Sequence, residues 1–266
     1  MVKKIVIAAL LVIGTVTSAS AAELVTFKSS LAGRDSLLLT DKLTGKLTKP
    51  EGNGPFPAVV VLHSCHGIVS KFYDHWVEIL VSWDYVVLQV DSFGPRGETN
   101  ICGNFLYHTI GSHKRAQDSF DAKSYLSGLP FVDRDRIAVL GWSHGGWGVL
   151  RAISETSMLQ YRGDPFRAAV AFYPYCNVLL IHMNASLLIL IGEHDDWCPA
   201  RNCSMSIPPG LKGEHEIILK IYPGVSHCFD CEGINENYLG HRLVYDPVAA
   251  SDAIIQVRKF LAKHLQ

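Results

Sequence analysis

The sequence predicts an α/β fold, with a mostly parallel central sheet covered by helices on both faces. Three observations predict it. Short runs of apolar, β-branched residues recur along the chain, as is typical of strands buried on both faces. Segments with helical spacing lie between these runs, an alternation that favours parallel strands. Hydrophobic residues make up 48% of the 266 residues and charged residues 18%, which is an ordinary globular composition.

The N-terminal segment, residues 1–21, has the three parts of a secretory signal peptide. Lys3 and Lys4 supply positive charge, Ile5–Val16 is apolar, and Ala19–Ala21 offers a cleavage site. A buried strand or a membrane anchor is the alternative, but the apolar part is too short to span a bilayer. We therefore expect an exported protein, periplasmic or extracellular, with no stable membrane insertion after cleavage. No linker or repeat follows, so residues 22–266 are predicted to form one domain.

The remaining elements follow in order along the chain. Leu24–Ser30 and Ser36–Leu43 predict an N-terminal antiparallel hairpin. Later strands are predicted at Ala58–His63, Tyr85–Val90, Arg136–Leu140, Ala168–Phe172, Ser186–Ile191 and Glu216–Tyr222. Helices are predicted at Ser70–Trp83, Ser112–Leu126, Gly146–Ser157 and Asp246–Leu265. In open α/β sheets, sites lie beyond the carboxyl ends of the strands, so the loops after strands are where chemistry is expected.

A buried strand runs directly into Gly141-Trp-Ser143-His-Gly145, and a helix follows. In such an elbow the serine lies on a strained turn and its oxygen projects above the sheet, while the flanking glycines let strand and helix approach. The pattern also occurs in ordinary glycine-rich turns, and it is the strand-before, helix-after context that favours a nucleophile. Ser143 is therefore the predicted nucleophile.

A serine nucleophile needs a general base and a carboxylate that orients the base. The chain order in this kind of site is serine, acid, histidine. Glu193, Asp195 and Asp196 follow one late strand, and His227 follows the next. A surface histidine is the alternative for His227, but its order and position favour the base, whereas bare chemistry permits any of the three acids.

Two N–H donors are also needed for the tetrahedral intermediate. One is the amide after the nucleophile, at His144, and the other comes from the loop after the first long central strand, where Cys65 is the candidate. His63 and His66 in that loop have metal-ligand spacing, but no third ligand is identifiable, so we expect no metal site.

Five segments together resemble the dienelactone hydrolase family of the α/β-hydrolase superfamily, and they span nearly the whole mature chain. They are His63–Gly67, Asp91–Gly97, Gly141–Gly146, Gly192–Pro199 with its Asp-x3-Pro spacing, and Tyr222–Asp230. The resemblance implies a three-layer α/β/α sandwich. It also implies Ser143 as nucleophile, Asp195 as acid, His227 as base and the Cys65 amide as an oxyanion donor.

The chain departs from the enzyme that names the family, because that enzyme uses a cysteine nucleophile where this chain has Ser143. Arginines in the name-giving enzyme hold a substrate carboxylate, and Arg96 lies in a comparable loop. The alternative is that Arg96 ties its own loop down. Trp142 and Trp197 are further substrate-binding candidates, as the floor of a compact pocket bordered by polar loops.

Seven cysteines follow the predicted signal, and in an oxidising compartment some should pair. Cys176 and Cys203 are the best candidates, because each follows a strand near the acid loop. The odd count leaves one thiol or an intermolecular bond. Cys198-x4-Cys203 and Cys228-x2-Cys231 could bind zinc, but neither has the spacing of a standard zinc ribbon.

The predicted function is hydrolysis of a small carboxylic ester or lactone through an acyl-enzyme. A peptidase and a catalytically silent binding protein on the same scaffold are the alternatives. The formal net charge is −1 and no basic run occurs, so a nucleic-acid partner is not expected. We expect no cofactor, and the sequence carries no indication of an oligomeric state.

Overall fold

The computed structural model describes residues 21–31, 41–104, 110–154, 164–210 and 214–265, with backbone only at 70 and 71. The predicted signal peptide lies outside these ranges except for its last residue. Among the described residues, no helix combines the length and the apolar character needed to cross a membrane.

Eight strands of the described residues form one central sheet, in the order β1-β2-β4-β3-β5-β6-β7-β8. β1 pairs antiparallel with β2 and β2 antiparallel with β4, whereas the remaining pairs are parallel. The strands are β1 Glu23–Lys28, β2 Lys42–Thr48, β3 Phe56–Leu62, β4 Val86–Asp91, β5 Val132–Trp142, β6 Ala168–Phe172, β7 Ser186–Gly192 and β8 Ile217–Tyr222. This architecture confirms the predicted α/β class and its N-terminal antiparallel pair.

Helices cover the sheet and complete the three layers. Within the described ranges, the α-helices are α1 Ser70–Ser82, α2 Ser112–Ser127, α3 His144–Ala152, α4 Ala200–Ser206 and α5 Pro247–Leu265. α2 and α3 pack against each other, and α5 packs across β5, β6 and β7. β6 and β7 are buried along their whole length, which explains their continuous apolar sequences.

The second strand of the N-terminal pair lies later than predicted, at Lys42–Thr48 rather than Ser36–Leu43. Residues 32–40 lie outside the described ranges. Leu43, Gly45 and Leu47 are buried while Lys42, Thr44 and Lys46 are more exposed, so this alternation sets the register of the strand against both β1 and β4. The third helix begins at His144, two residues earlier than predicted, and ends at Ala152, before the predicted end at Ser157.

A second, two-stranded sheet was not predicted. β9, Asn235–Tyr238, pairs antiparallel with β10, His241–Val244. Leu239 and Gly240 connect them, both with positive φ, which is the backbone of a tight hairpin turn. Asn235–Tyr238 is almost entirely polar, so the sequence offers no apolar alternation that would reveal the strand.

Three cysteine pairs lie at disulfide-bonding distance, and Cys198 is a buried free cysteine. The predicted Cys176–Cys203 pair is one of them. The others are Cys65–Cys102 and Cys228–Cys231. The sulfurs of both proposed zinc motifs are therefore used in disulfides, apart from that of Cys198.

Candidate active site

Ser143 lies between the end of β5 and the start of α3, with φ of 51° and ψ of −112°. This left-handed backbone is the strained turn that an elbow requires. A Cβ on Gly141 would overlap the Gly145 carbonyl, and one on Gly145 would overlap the carbonyl oxygens of Leu62 and His63. The two glycines therefore allow the strand, the helix and the neighbouring loop to meet beneath Ser143.

The structure brings Ser143, His227 and Asp195 into one hydrogen-bonded chain. Nε2 of His227 lies 3.2 Å from Oγ of Ser143, and Nδ1 lies 2.7 Å from Oδ2 of Asp195. All three residues are buried. With Nδ1 held by the carboxylate, Nε2 faces the serine and can accept its proton, which is the geometry of an activated nucleophile.

The other two candidate acids lie elsewhere. Asp196 is exposed and contacts His241 at 3.5 Å, and its carboxylate accepts the Arg242 amide. Glu193 accepts the Gly224 amide at 2.9 Å. Of the three acids that chemistry alone permits, the structure places Asp195 against the imidazole.

The loop that carries His227 is held by two neighbouring segments. The His194 amide donates to the Val225 carbonyl at 2.9 Å, which joins the acid loop to the histidine loop. On the other side, the Val244 amide of β10 donates to the His227 carbonyl at 3.2 Å. The small hairpin that the sequence did not reveal thus supports the backbone of the candidate base.

The loop after β3 presents Cys65 to the same pocket as Ser143. Nδ1 of His63 lies 2.7 Å from the Ser64 carbonyl, and Nε2 accepts the Ser92 amide at 3.2 Å. The Ser64 carbonyl is thus turned towards His63, and in a trans peptide the Cys65 N–H points the opposite way. His144 begins α3, so its amide lies at the positive end of that helix.

His63 is fully buried with Arg115, whose guanidinium donates to the His63 carbonyl at 2.7 Å. Burial lowers the pKa of His63 well below its usual value, and the Arg115 charge lowers it further. The imidazole is therefore neutral, with both nitrogens in hydrogen bonds. His66 lies near the sulfurs of Cys65 and Cys102, but these are bonded to each other and do not offer thiolates.

A small pocket of about 40 Å³ opens above Ser143. Most of its wall is aromatic or aliphatic, including the predicted Trp142 and Trp197. The lining residues are Ser64, Cys65, His66, Phe72, Tyr73, Trp142, Ser143, Tyr173, Trp197, His227, Cys228, Asp230, Cys231, Ile234, Glu236 and Leu243. From the polar loops expected to border the pocket, Asp230 and Glu236 are among these residues, whereas no described residue of 91–104 is.

Arg96 is not among the lining residues, so the prediction that it holds a substrate is corrected. Its two terminal nitrogens each donate to an oxygen of Asp118 at 2.7 Å, and its side chain is only 3% exposed. One of these nitrogens also donates to the Ser92 carbonyl at 2.7 Å. The buried Asp118 on α2 captures the planar guanidinium in a bidentate pair. Arg96 thereby ties its loop to α2.

Asp230, in the loop after His227, is a buried carboxylate whose hydrogen-bonding role in the framework of this site the sequence did not predict. It accepts hydrogen bonds from the indoles of Trp142 at 2.7 Å and Trp76 at 2.9 Å, and from the Tyr173 hydroxyl at 2.7 Å. Burial raises its pKa. Buried indole and phenol groups need hydrogen-bond acceptors. The aromatic residues of the sequence therefore give the only indication that a buried carboxylate accepts from them. Asp230 links the elbow, α1 and the histidine loop.

The profile of a family described as "Dienelactone hydrolase family" matches residues 43–265. The chain is also similar to a probable 2-oxo-3-(5-oxofuran-2-ylidene)propanoate lactonase from Bradyrhizobium sp., with 24% identity over 236 residues, covering 82% of this chain and 88% of the relative.

Peptidases are among the relatives as well. A probable dipeptidyl-aminopeptidase B from Metarhizium robertsii is 26% identical over 214 residues, covering 67% of this chain but only 22% of the relative. Among solved structures, a dienelactone hydrolase-like promiscuous phosphotriesterase from metagenomic libraries superposes with a TM-score of 0.70 at 16% identity, covering 92% of this chain and 99% of that one. At this identity the structural likeness shows the fold.

Proposed function

The chain belongs to the dienelactone hydrolase family, and from this premise we propose that it is a serine hydrolase of small carboxylic esters or lactones. Ser143 Oγ attacks the substrate carbonyl carbon as His227 Nε2 takes the hydroxyl proton. The tetrahedral intermediate collapses when His227 gives that proton to the leaving alkoxide. Water then gives a proton to His227 as it attacks the acyl-enzyme, and His227 returns that proton to Ser143 Oγ as the acid leaves.

The observation that carries this proposal is the buried hydrogen-bonded chain from Ser143 through His227 to Asp195. Asp195 is fixed in turn by the amides of Trp197 and Cys198, which donate to its other oxygen at 3.0 Å and 2.7 Å. The carboxylate can therefore hold one imidazole tautomer and stabilise the imidazolium that forms during attack.

The amides of Cys65 and His144 are proposed to form the oxyanion hole. The turned Ser64–Cys65 peptide and the first amide of α3 support this assignment, since both belong to segments that border Ser143. Preorganised N–H donors of this kind stabilise the negative oxygen of the tetrahedral intermediate.

A peptidase is the second candidate, favoured by the likeness to the dipeptidyl-aminopeptidase. The chain corresponds to about a fifth of that relative, and the pocket of about 40 Å³ favours a small acyl group over a peptide. We also propose that the protein is exported, which the three disulfides support because such bonds persist in oxidising compartments.

The test is labelling with a fluorophosphonate probe, together with rates on p-nitrophenyl acetate, a γ-lactone and a dipeptidyl p-nitroanilide. We expect labelling and ester or lactone turnover from the wild type and neither from Ser143→Ala. Ser251→Ala is the matched control, because Ser251 is exposed on α5 and should keep full activity. Turnover of the anilide alone would establish the peptidase, and labelling that survives Ser143→Ala would overturn the proposal.

A further inference from the structure

We infer that the pocket selects uncharged esters and lactones and discriminates against those that carry a carboxylate, an inference that rests on the proposed hydrolase function. Two observations support it. The arginines that could hold a carboxylate, Arg96 and Arg115, are engaged in other contacts, and the wall of the aromatic pocket contains two acidic residues, Asp230 and Glu236.

Two arginines that could have held a substrate carboxylate, Arg96 and Arg115, are both engaged in other contacts. Arg96 gives its two terminal nitrogens to Asp118, as described above. Arg115 is completely buried, donates to the His63 carbonyl, and packs its guanidinium over the Phe93 ring at 5.1 Å. Neither arginine is among the lining residues, so neither guanidinium is placed to form a bidentate hydrogen bond with a substrate carboxylate.

No lysine or arginine occurs among the described lining residues, and residues 105–109 contain neither in their sequence. Arg242 precedes Leu243, which lines the pocket, but alternate residues of a strand face opposite sides. Its guanidinium donates to Asn235 instead. His66 does line the pocket, and burial lowers its pKa, so it is a poor cation at neutral pH.

The polar groups of the wall are arranged for a substrate without negative charge. The indole of Trp142 and the hydroxyl of Tyr173 could donate to an anion, but both are already bonded to Asp230. Glu236 is exposed and lines the pocket within electrostatic range of His66. Against the described lining, a substrate carboxylate would lose water, gain no cation and meet a like charge, all of which disfavour it.

Two methyl esters of equal length isolate this effect. Methyl levulinate ends in a methyl ketone where monomethyl succinate ends in a carboxylate, so they differ chiefly in charge. We would measure kcat/KM for both at neutral pH by the release of methanol. We expect methyl levulinate to be favoured at least tenfold over monomethyl succinate, or about 1.4 kcal/mol.

The variants are chosen to localise the discrimination. Glu236→Lys should reduce the levulinate-to-succinate ratio by about three- to tenfold, because it replaces repulsion by attraction at the pocket. Glu232→Lys makes the same charge change on an exposed residue outside the lining and should leave the ratio within a factor of about two.

Equal rates on the two esters, or a preference for monomethyl succinate, would overturn the inference while leaving the hydrolase function intact. The same shift in ratio from Glu232→Lys as from Glu236→Lys would also overturn it, because the discrimination would then come from net charge alone. Hydrolysis of neither ester, with no fluorophosphonate labelling of Ser143, would overturn the proposed function and this inference together.

Discussion

Oδ2 of Asp195 lies 2.7 Å from Nδ1 of His227, with the carboxylate side chain fully buried and the imidazole side chain 4% exposed. The second carboxylate oxygen accepts two backbone amides, from Trp197 and Cys198. Both oxygens are thus used, and the carboxylate cannot rotate without breaking a hydrogen bond. The orientation of the imidazole towards Ser143 therefore depends on this one side chain.

Replacing Asp195 by Asn should lower kcat on a p-nitrophenyl ester by about 10⁴-fold, because the amide no longer selects the tautomer that presents a bare Nε2 to the serine. Asp196→Asn and Glu193→Gln are the matched controls, since these carboxylates contact His241 and the Gly224 amide instead. Both controls should stay within about threefold of wild type. A larger loss at either control than at Asp195 would contradict the assignment.

The stability of the protein should fall on acidification because His63 is buried neutral. Burial holds the pKa of His63 well below 6.5 in the folded state. As the pH falls, His63 is therefore protonated in the unfolded protein before it is protonated in the folded protein. Stability from this group is complete above the unfolded pKa and is lost as pH falls below it towards the folded pKa. From about pH 7.5 to about pH 5, protonation of His63 in the unfolded state should cost up to about 2 kcal/mol of unfolding free energy.

Urea unfolding of the wild type and of His63→Gln at both pH values measures this term. His66 and His113 also have lowered pKa values and act in the same direction, so the difference between the two proteins isolates His63. The advantage of the wild type over the variant should shrink at the lower pH, by up to about 2 kcal/mol. If the wild type and His63→Gln differed in unfolding free energy by the same amount at both pH values, the pKa of His63 would not be lowered by folding.

The sequence predicted the sheet and the grouping of Ser143, Asp195 and His227 because both depend on local patterns. Continuous apolar runs mark the buried parallel strands, and loops after such strands meet at one edge of the sheet. Gly141 and Gly145 stand where a side chain would overlap backbone atoms, and their spacing around Ser143 can be read from the sequence. These features need no knowledge of which distant segments pack together.

The partners of Arg96, Asp230 and His63 could not be predicted, because each is set by tertiary packing. Arg96 finds Asp118 on a helix 22 residues away, and Asp230 meets an indole 154 residues away. The composition of the pocket wall could not be predicted for the same reason. Loop composition predicted hydrogen-bonding groups, but the aromatic part of the wall comes from other segments, as Phe72, Tyr73, Trp142, Tyr173 and Trp197.

Gly145→Ala should destabilise the fold by at least about 3 kcal/mol, since the added methyl group would overlap two backbone carbonyl oxygens that cannot yield as a side chain does. Gly103→Ala is the matched control, because no described atom lies within 4 Å of a Cβ there. Thermal unfolding monitored by circular dichroism compares the two. A Gly145→Ala protein with the melting temperature of the control would refute the close approach at the elbow.

Thiol titration should find one reactive group per chain in protein purified from its native compartment and unfolded without reductant. That group is Cys198, and the other six of the seven cysteines are paired. Cys198→Ser should then titrate no thiol, and reduction of the wild type should expose all seven. Seven thiols before reduction would contradict every pairing, whereas three would indicate that one of the pairs is open.

The enzyme should prefer short acyl groups, with kcat/KM on p-nitrophenyl esters highest between acetate and butyrate and lower at octanoate. Each methylene that finds apolar contact adds about 0.8 kcal/mol of binding, but a cavity of about 40 Å³ is filled after a few carbons. Ile234 is half-buried and lines this space, so Ile234→Ala should raise the octanoate-to-butyrate ratio several-fold. Ile255→Ala removes the same atoms from an exposed position on α5 outside the lining, and should leave the ratio unchanged. A wild-type optimum at decanoate or longer would mean that the bound acyl chain leaves this pocket along an apolar groove, and Ile234→Ala would then have no effect on chain-length preference.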